Sequence, residues 1–260
     1  NASAAALVAR DNGTLTLVHV LDPSRYTNPS KDLMNHLRAG CQRELNSLIE
    51  RVKRRAAKVE ARIVEGSPAL RIVEVASEIG ANLIVVSANG QIAPTKWFSG
   101  SVTDQVVQHA SIPTLVLRNA SAFKAGVDEK RPLKILAGYD FSVSADAALH
   151  WTRSLREIVA CDLTVVYVAS AANERARLGI APPMSRLYYP SGIRRFLEAE
   201  LKQKCGLILG DDGTKFCVKA DWERPDSQLI EIARDDRTDL IVVGASQRRG
   251  LARMGSVSRA

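Results

Sequence analysis

Aromatic side chains are scarce, at 5% of the chain, and none of the basic clusters is interleaved with them, so the stacking platforms that hold unpaired bases are missing. The net charge of +8 suggests anionic company. Yet the cations lie among acids along helix-forming stretches, as at Arg51-Val-Lys-Arg-Arg and Arg194-Arg195…Glu198-Ala-Glu200, which reads as a solvated helix face. No nucleic-acid partner is expected. No apolar run approaches the roughly 20 residues needed to cross a bilayer, so no membrane span is expected either. Cys41, Cys161, Cys205 and Cys217 form no CxxC pair and show no ligand spacing; they read as reduced packing thiols of a cytoplasmic protein. The four histidines are scattered, with His19 inside a strand pattern, and no metal site is expected. The opening NASAAALVARDNG has no basic start followed by an apolar block, so no signal peptide is expected.

What the sequence does contain is a globular balance, 46% apolar and 25% charged, and one stretch that occurs twice. Thr238 to Ser258 begins as the β-branched run Leu240-Ile241-Val242-Val243, the signature of a strand buried on both faces. It passes at Gly244 into a loop rich in glycine, serine and arginine that holds Arg248, Gly250 and Gly255-Ser256. Glycines after a strand are often only a turn. They also let backbone N–H groups approach a phosphate, and the start of a following helix adds unpaired donors and partial positive charge. A shift of 157 residues lays Asn82 onwards on Asp239 onwards, with Pro68 on Pro225, Glu74 on Glu231 and Leu83–Val86 on Leu240–Val243. A second block, Leu15–Val20, falls on Leu163–Val168 at a shift of 148. Repeats of this length are a duplicated domain, since a solenoid repeats over far fewer residues.

Read in order, the first unit predicts the end of a helix over residues 2–10, a strand over 14–20, a long helix over about 31–57 and a strand over 59–64. A helix follows that starts at Ser67-Pro68, with the serine as cap and the proline in the first turn, and ends at Gly80. Then come a strand over 83–87, a helix opening at Gly100-Ser101 and a strand over 114–117. The polar and small segment 119–131 is placed as a linker, giving domains at 1–118 and 132–260. The second unit predicts strands over 133–137, 163–168, 215–219 and 240–243. Its helices run over about 142–160, around 194–204 and from Pro225. Strands alternating with helices mean parallel βαβ units, so both halves are open α/β sheets.

These residues resemble the universal stress protein family in its tandem form, over essentially the whole chain. The most specific part is the family's ATP-loop pattern, in which two glycines two residues apart are followed, nine residues on, by Gly and then Ser or Thr. In the first unit Ser87 stands at the first glycine, while Gly90 and Gly100-Ser101 fit; in the second Gly244 fits, Gln247 replaces the second glycine and Gly255-Ser256 arrives two residues early. The resemblance implies two doubly wound, mainly parallel sheets of the adenine-nucleotide alpha-hydrolase-like type, strand order 3-2-1-4-5, with the ligand at the switch point between strands one and four. It assigns Asp140 and Ser142, in the pattern Asp-x-Ser, to the adenosine part of ATP, and the backbone of Val168 to adenine. Gly244, Gly250, Gly255, Ser256 and Val257 would serve the phosphates, with Arg248 adding charge and Mg accompanying the nucleotide or absent. A plainer reading has Asp140 only capping the following helix. The first unit offers a poorer set, Val20, Ser87, Gly90, Gly100 and Ser101, because its spacer holds Pro94, Trp97 and Phe98 with Lys96 as the only cation.

The implied function is a regulatory protein of the stress response that binds an adenine nucleotide mainly in its second domain, has no assigned catalytic residues and at most slow turnover, and acts through a regulatory protein. The alternative is an interaction module, or a small-molecule or lipid binder, whose loops are structural. Domain pairing through the last strands, and a homodimer beyond it, would cover open sheet edges. The repeat itself holds a conflict. The first unit has no counterpart of Leu133 to Ala148, which includes a central strand, and the second has none of Val106 to Leu117. A sheet without its middle strand leaves buried backbone groups unpaired at roughly 1–3 kcal/mol each, so the sequence is expected to be part of a longer chain.

Overall fold

The computed structural model of the chain describes residues 4–5, 7–8, 12–53, 58–87, 102–118, 120–128, 131–170, 191–210, 213–221 and 225–245. It divides into two compact units, Asn1–Asp128 and Glu129–Ala260. The segment 119–131 contains that boundary and is not all extended, because Ala120–Val127 forms a helix with Phe123 and Val127 buried. The apolar spacing Phe123…Val127, one turn apart, gives the segment a face worth burying.

The first unit holds β1 (Thr14–Leu21), α1 (Lys31–Lys53), β2 (Lys58–Glu65), α2 (Pro68–Glu78), β3 (Ile84–Ser87), α3 (Val102–His109), β4 (Thr114–Leu117) and α4 (Ala120–Val127). Asn12, in the left-handed region at φ 53°, turns the chain out of the preceding helical residues, and Gly13 N–H donates to Val8 C=O at 3.1 Å. Ser67 occupies the N-cap position of α2, but its side chain makes no capping hydrogen bond; the proline at the first helical position carries the start instead. β1 pairs with β2 and β3 with β4, both in parallel, as two separate two-stranded sheets. α1 packs Val52 and Leu48 against Leu15 and Val59, while α2 and α3 close over β3 through Ala69, Ala76, Ile84 and Val106.

The second unit holds β5 (Leu133–Gly138), α5 (Val143–Ile158), β6 (Cys161–Ser170), α6 (Ser191–Leu209), β7 (Lys215–Asp221), α7 (Pro225–Asp235) and β8 (Leu240–Val243). The four strands form one parallel sheet in the order β7-β6-β5-β8, which is third, second, first, fourth. That is the first four places of the order 3-2-1-4-5; among the described residues no unit shows a five-stranded sheet. Leu133, Ile135, Leu136 and Ala137 are all buried, as are Leu163, Val165 and Val166, because β5 and β6 are central strands covered on both faces. One face meets α7, where Leu136 and Val166 pack on Leu229 with Ile232 and Val243. Strand alternation turns Leu133, Ile135 and Tyr139 to the opposite face, that of α5 and α6.

The amino ends of β5 and β8 are fastened together. Arg131 donates to both carboxylate oxygens of Asp239, at 2.5 and 2.7 Å, and Lys134 N–H donates to Asp239 Oδ2 at 3.0 Å. The Asp239 N–H returns a bond to Lys134 C=O at 2.9 Å. Burial of Asp239, 4% exposed in its side chain, pushes its carboxyl up, and the Arg131 and Lys134 bonds and charges overcome that and hold it below its ordinary value.

Candidate functional site

The crevice of an open parallel sheet lies where neighbouring strands send their connections to opposite faces. In the second unit that point is between β5 and β8, and the residues around it follow from the strand ends. β5 finishes at Gly138, and Tyr139 N–H makes the last bond across to Val166 C=O at 2.9 Å. The chain then turns through Asp140 and Phe141 into α5. Ser142 is the N-cap of α5, its hydroxyl accepting from Ala145 N–H at 3.2 Å. Asp140 does not cap the helix itself. Its Oδ1 accepts from Ser142 N–H at 3.1 Å and from the Ser142 hydroxyl at 2.5 Å, so the carboxylate orients the capping residue, and it stands exposed at the carboxyl end of the central strand.

Three aromatic rings support this turn, and the sequence reading passed over them. Phe141 adopts φ 61°, a left-handed conformation that costs an ordinary L-residue roughly 1–2 kcal/mol. Its ring packs edge-on against Tyr139 at 5.2 Å and Tyr167 at 4.9 Å between centroids. Tyr139 is buried and donates its hydroxyl to Asp146 Oδ1 at 2.5 Å; burial first, then the Asp146 carboxylate, raise its ionisation well above the usual tyrosine range. Nothing in the sequence pattern announces a positive φ at phenylalanine.

On the other side of the crevice β8 ends at Val243 and Gly244. A Cβ placed on Gly244 would lie 2.5 Å from the Ser144 carbonyl carbon and 2.6 Å from Ala145 N. The glycine is therefore demanded by close approach of β8 to the first turn of α5, whatever the loop beyond it does. In the first unit the position belongs to Ser87, whose C=O accepts from the Thr103 hydroxyl at 3.0 Å.

Val168 lies on β6 beyond the last β5 pair, Gly138↔Val166, while the β7 pairing runs on to Ser170↔Asp221. Successive residues of a parallel strand direct their N–H and C=O alternately to the two neighbours. Val166 C=O faces β5, so the backbone groups of Val168 face the same side, where β5 has already turned away. Asp140, Ser142, Val168 and Gly244 thus all lie at the carboxyl ends of the second unit's strands. Val20 is the seventh of the eight residues of β1, and Ser87 is the last of β3. Arg248, Gly250, Gly255, Ser256 and Val257, and in the first unit Gly90, Gly100 and Ser101, lie outside the described residues. Among the described residues no cluster of three or more His, Cys, Asp or Glu could hold a metal ion, and no helix is long and apolar enough to cross a membrane.

A parallel sheet wound on both faces, with a capped helix starting beside the crevice at its switch point, defines a doubly wound α/β protein of the nucleotide-fold class. The chain matches the universal stress protein family over residues 2–118 and again over 133–260. It belongs to that family and carries its domain twice. Universal stress protein G of Shigella flexneri is 26% identical over 120 residues, which are 44% of this chain and 84% of that protein. A crystal structure of a universal stress protein from Archaeoglobus fulgidus superposes with a TM-score of 0.68 at 14% identity, covering 98% of this chain and 87% of that one, and so shares the tandem fold. A universal stress protein solved in complex with cAMP is 25% identical over 45% of this chain and 84% of its own, with a TM-score of 0.35, too slight a likeness to carry its ligand across.

Proposed function

We propose that this universal stress protein binds an adenine nucleotide, ATP with or without Mg, in the crevice of its second unit, with little or no turnover. It would act in the cytoplasm, in the stress response, through a regulatory protein that responds to occupancy. The observation that carries the reading is the Asp140 carboxylate. Its Oδ1 is committed to Ser142, which fixes the group, and among the described residues its Oδ2 has no partner. An exposed, oriented carboxylate oxygen at a strand's carboxyl end is suited to accepting from ribose hydroxyls. The backbone of Val168 offers a donor and an acceptor toward the same crevice, suited to the edge of an adenine. Val143, on the first turn of α5, is 85% exposed, an apolar surface that a bound sugar or base would cover. Turnover is expected to be slight because a single carboxylate already engaged with a serine is one part of the several that phosphoryl transfer needs.

Thermal unfolding with and without millimolar Mg-ATP tests this. Nucleotide at 100 times its dissociation constant adds about 2.7 kcal/mol to stability. Asp140→Ala should abolish the shift, whereas Asp104→Ala, on α3 of the first unit, should leave it intact. No shift in the unsubstituted protein would refute the proposal and favour the alternative of an interaction module.

A further inference from the structure

The first unit contains a thiol and a base in contact, His19 on the repeated strand β1 and Cys41 on α1, away from the loop pattern. His19, the sixth residue of β1, places Nε2 3.2 Å from Sγ of Cys41 in the middle of α1. The contact joins residues 22 apart in sequence and is part-buried. Strand alternation turns Leu15, His19 and Leu21 toward α1, as the packing of Leu15 with Leu48 and Val52 shows. One helical turn before Cys41, Arg38 lies over the same rungs of the sheet. Its guanidinium approaches the carbonyl of Ile63, the register partner of His19, and pairs with Glu65 at 2.6 Å.

We propose that Cys41 is a modification site, a nucleophilic thiol served by His19 as base, which reacts with hydroperoxides and small carbon electrophiles. A nucleophile and a base within hydrogen-bond reach are the minimum for an activated thiol. The proton passes from Sγ to Nε2, and the thiolate attacks the distal oxygen of a hydroperoxide. The S–O bond forms as the O–O bond breaks, the leaving oxygen takes the proton from the imidazolium, and a sulfenic acid and water or an alcohol result. Sulfur loses two electrons and the peroxide gains them. The other cysteines serve as internal standards. Burial pushes the Cys161 thiol up to about 11 and the Cys205 thiol up to about 12, and Cys161 Sγ donates to the Val159 carbonyl at 3.0 Å. Cys217 is a free, half-buried thiol packed against the apolar cluster of Leu136, Val166 and Leu229.

The test is native labelling of the full chain with iodoacetamide at neutral pH, followed by peptide mass spectrometry, and in parallel dilute hydrogen peroxide trapped with dimedone. Cys41 should label first and carry the dimedone adduct. His19→Asn and His19→Gln should each slow Cys41 labelling by about 100-fold or more while Cys217 labels unchanged. A histidine that merely packs would give the opposite sign, since loosening α1 exposes the thiol and speeds its labelling. Equal labelling of Cys41 and Cys217 in the unsubstituted chain, or unslowed labelling in both His19 variants, overturns the proposal.

Discussion

Gly244→Ala places one methyl group where the structure leaves no room for it. The added carbon would sit 2.5–2.6 Å from three main-chain atoms of Ser144 and Ala145, about 1 Å inside a relaxed carbon contact. Side chains that meet an intruder can rotate; these atoms belong to the first turn of α5, whose position is fixed by the Ser142 cap and by Leu149 and Leu155 buried below it. Either α5 or the end of β8 must move. Overpacking a well-filled site costs typically 1–3 kcal/mol, and a main-chain obstacle argues for the upper end, about 3 kcal/mol. At roughly 2–8 °C per kcal/mol for domains of this size range, the second unit should melt at least about 6 °C lower, read by circular dichroism with a urea titration to confirm an unchanged slope. The controls are internal. Gly206→Ala, in the interior of α6 with nothing within 4 Å, should stabilise by up to about 1 kcal/mol. Gly80→Ala, equally open but at φ 61°, should cost about 1 kcal/mol. A Gly244→Ala protein within 0.5 kcal/mol of the parent would refute the claim that close approach, rather than loop chemistry, fixes this glycine.

Two further outcomes follow from local geometry. Asp239→Asn removes a charge-assisted pair and should cost about 2 kcal/mol at pH 7. Because the folded carboxyl is held below its ordinary value, its contribution is present above about pH 4 and lost as the pH falls through the folded pKa; the gap between parent and variant urea midpoints should therefore narrow steadily as the pH falls below about 4, and a constant gap would contradict the assignment. Phe141→Ala keeps a side chain at φ 61° and loses both ring contacts, so Phe141→Gly should be the more stable of the two by about 1 kcal/mol, measured by equilibrium unfolding.

The runs Leu163–Val168 and Leu240–Val243 were legible as strands because they are short, rich in β-branched residues and bounded by turn formers, and Leu133–Ala137 because it stops at Gly138. Their order was legible only through the family resemblance. The helix Ala120–Val127 was missed, since small residues such as Ala120, Ala122 and Gly126 look like linker when Phe123 and Val127 are not read as one face. The Asp-x-Ser turn was legible as chemistry but its division of labour was not. Asp140 or Ser142 alone would serve as a cap, and only the distances show that Ser142 does so and Asp140 holds it. Gly244 was read for its freedom near a phosphate, while the Ser144 backbone supplies a reason the sequence does not display. His19 and Cys41 were dismissed separately because their meeting depends on strand alternation and the rotation of α1 about its axis.

Parallel strands all set out from one pole of a sheet and arrive at the other. The Arg131–Asp239–Lys134 clasp grips β5 and β8 at their departure, and the crevice opens at their arrival, about five residues or ~16 Å along. The anchorage and the crevice proposed for the nucleotide therefore occupy opposite poles of the same two strands.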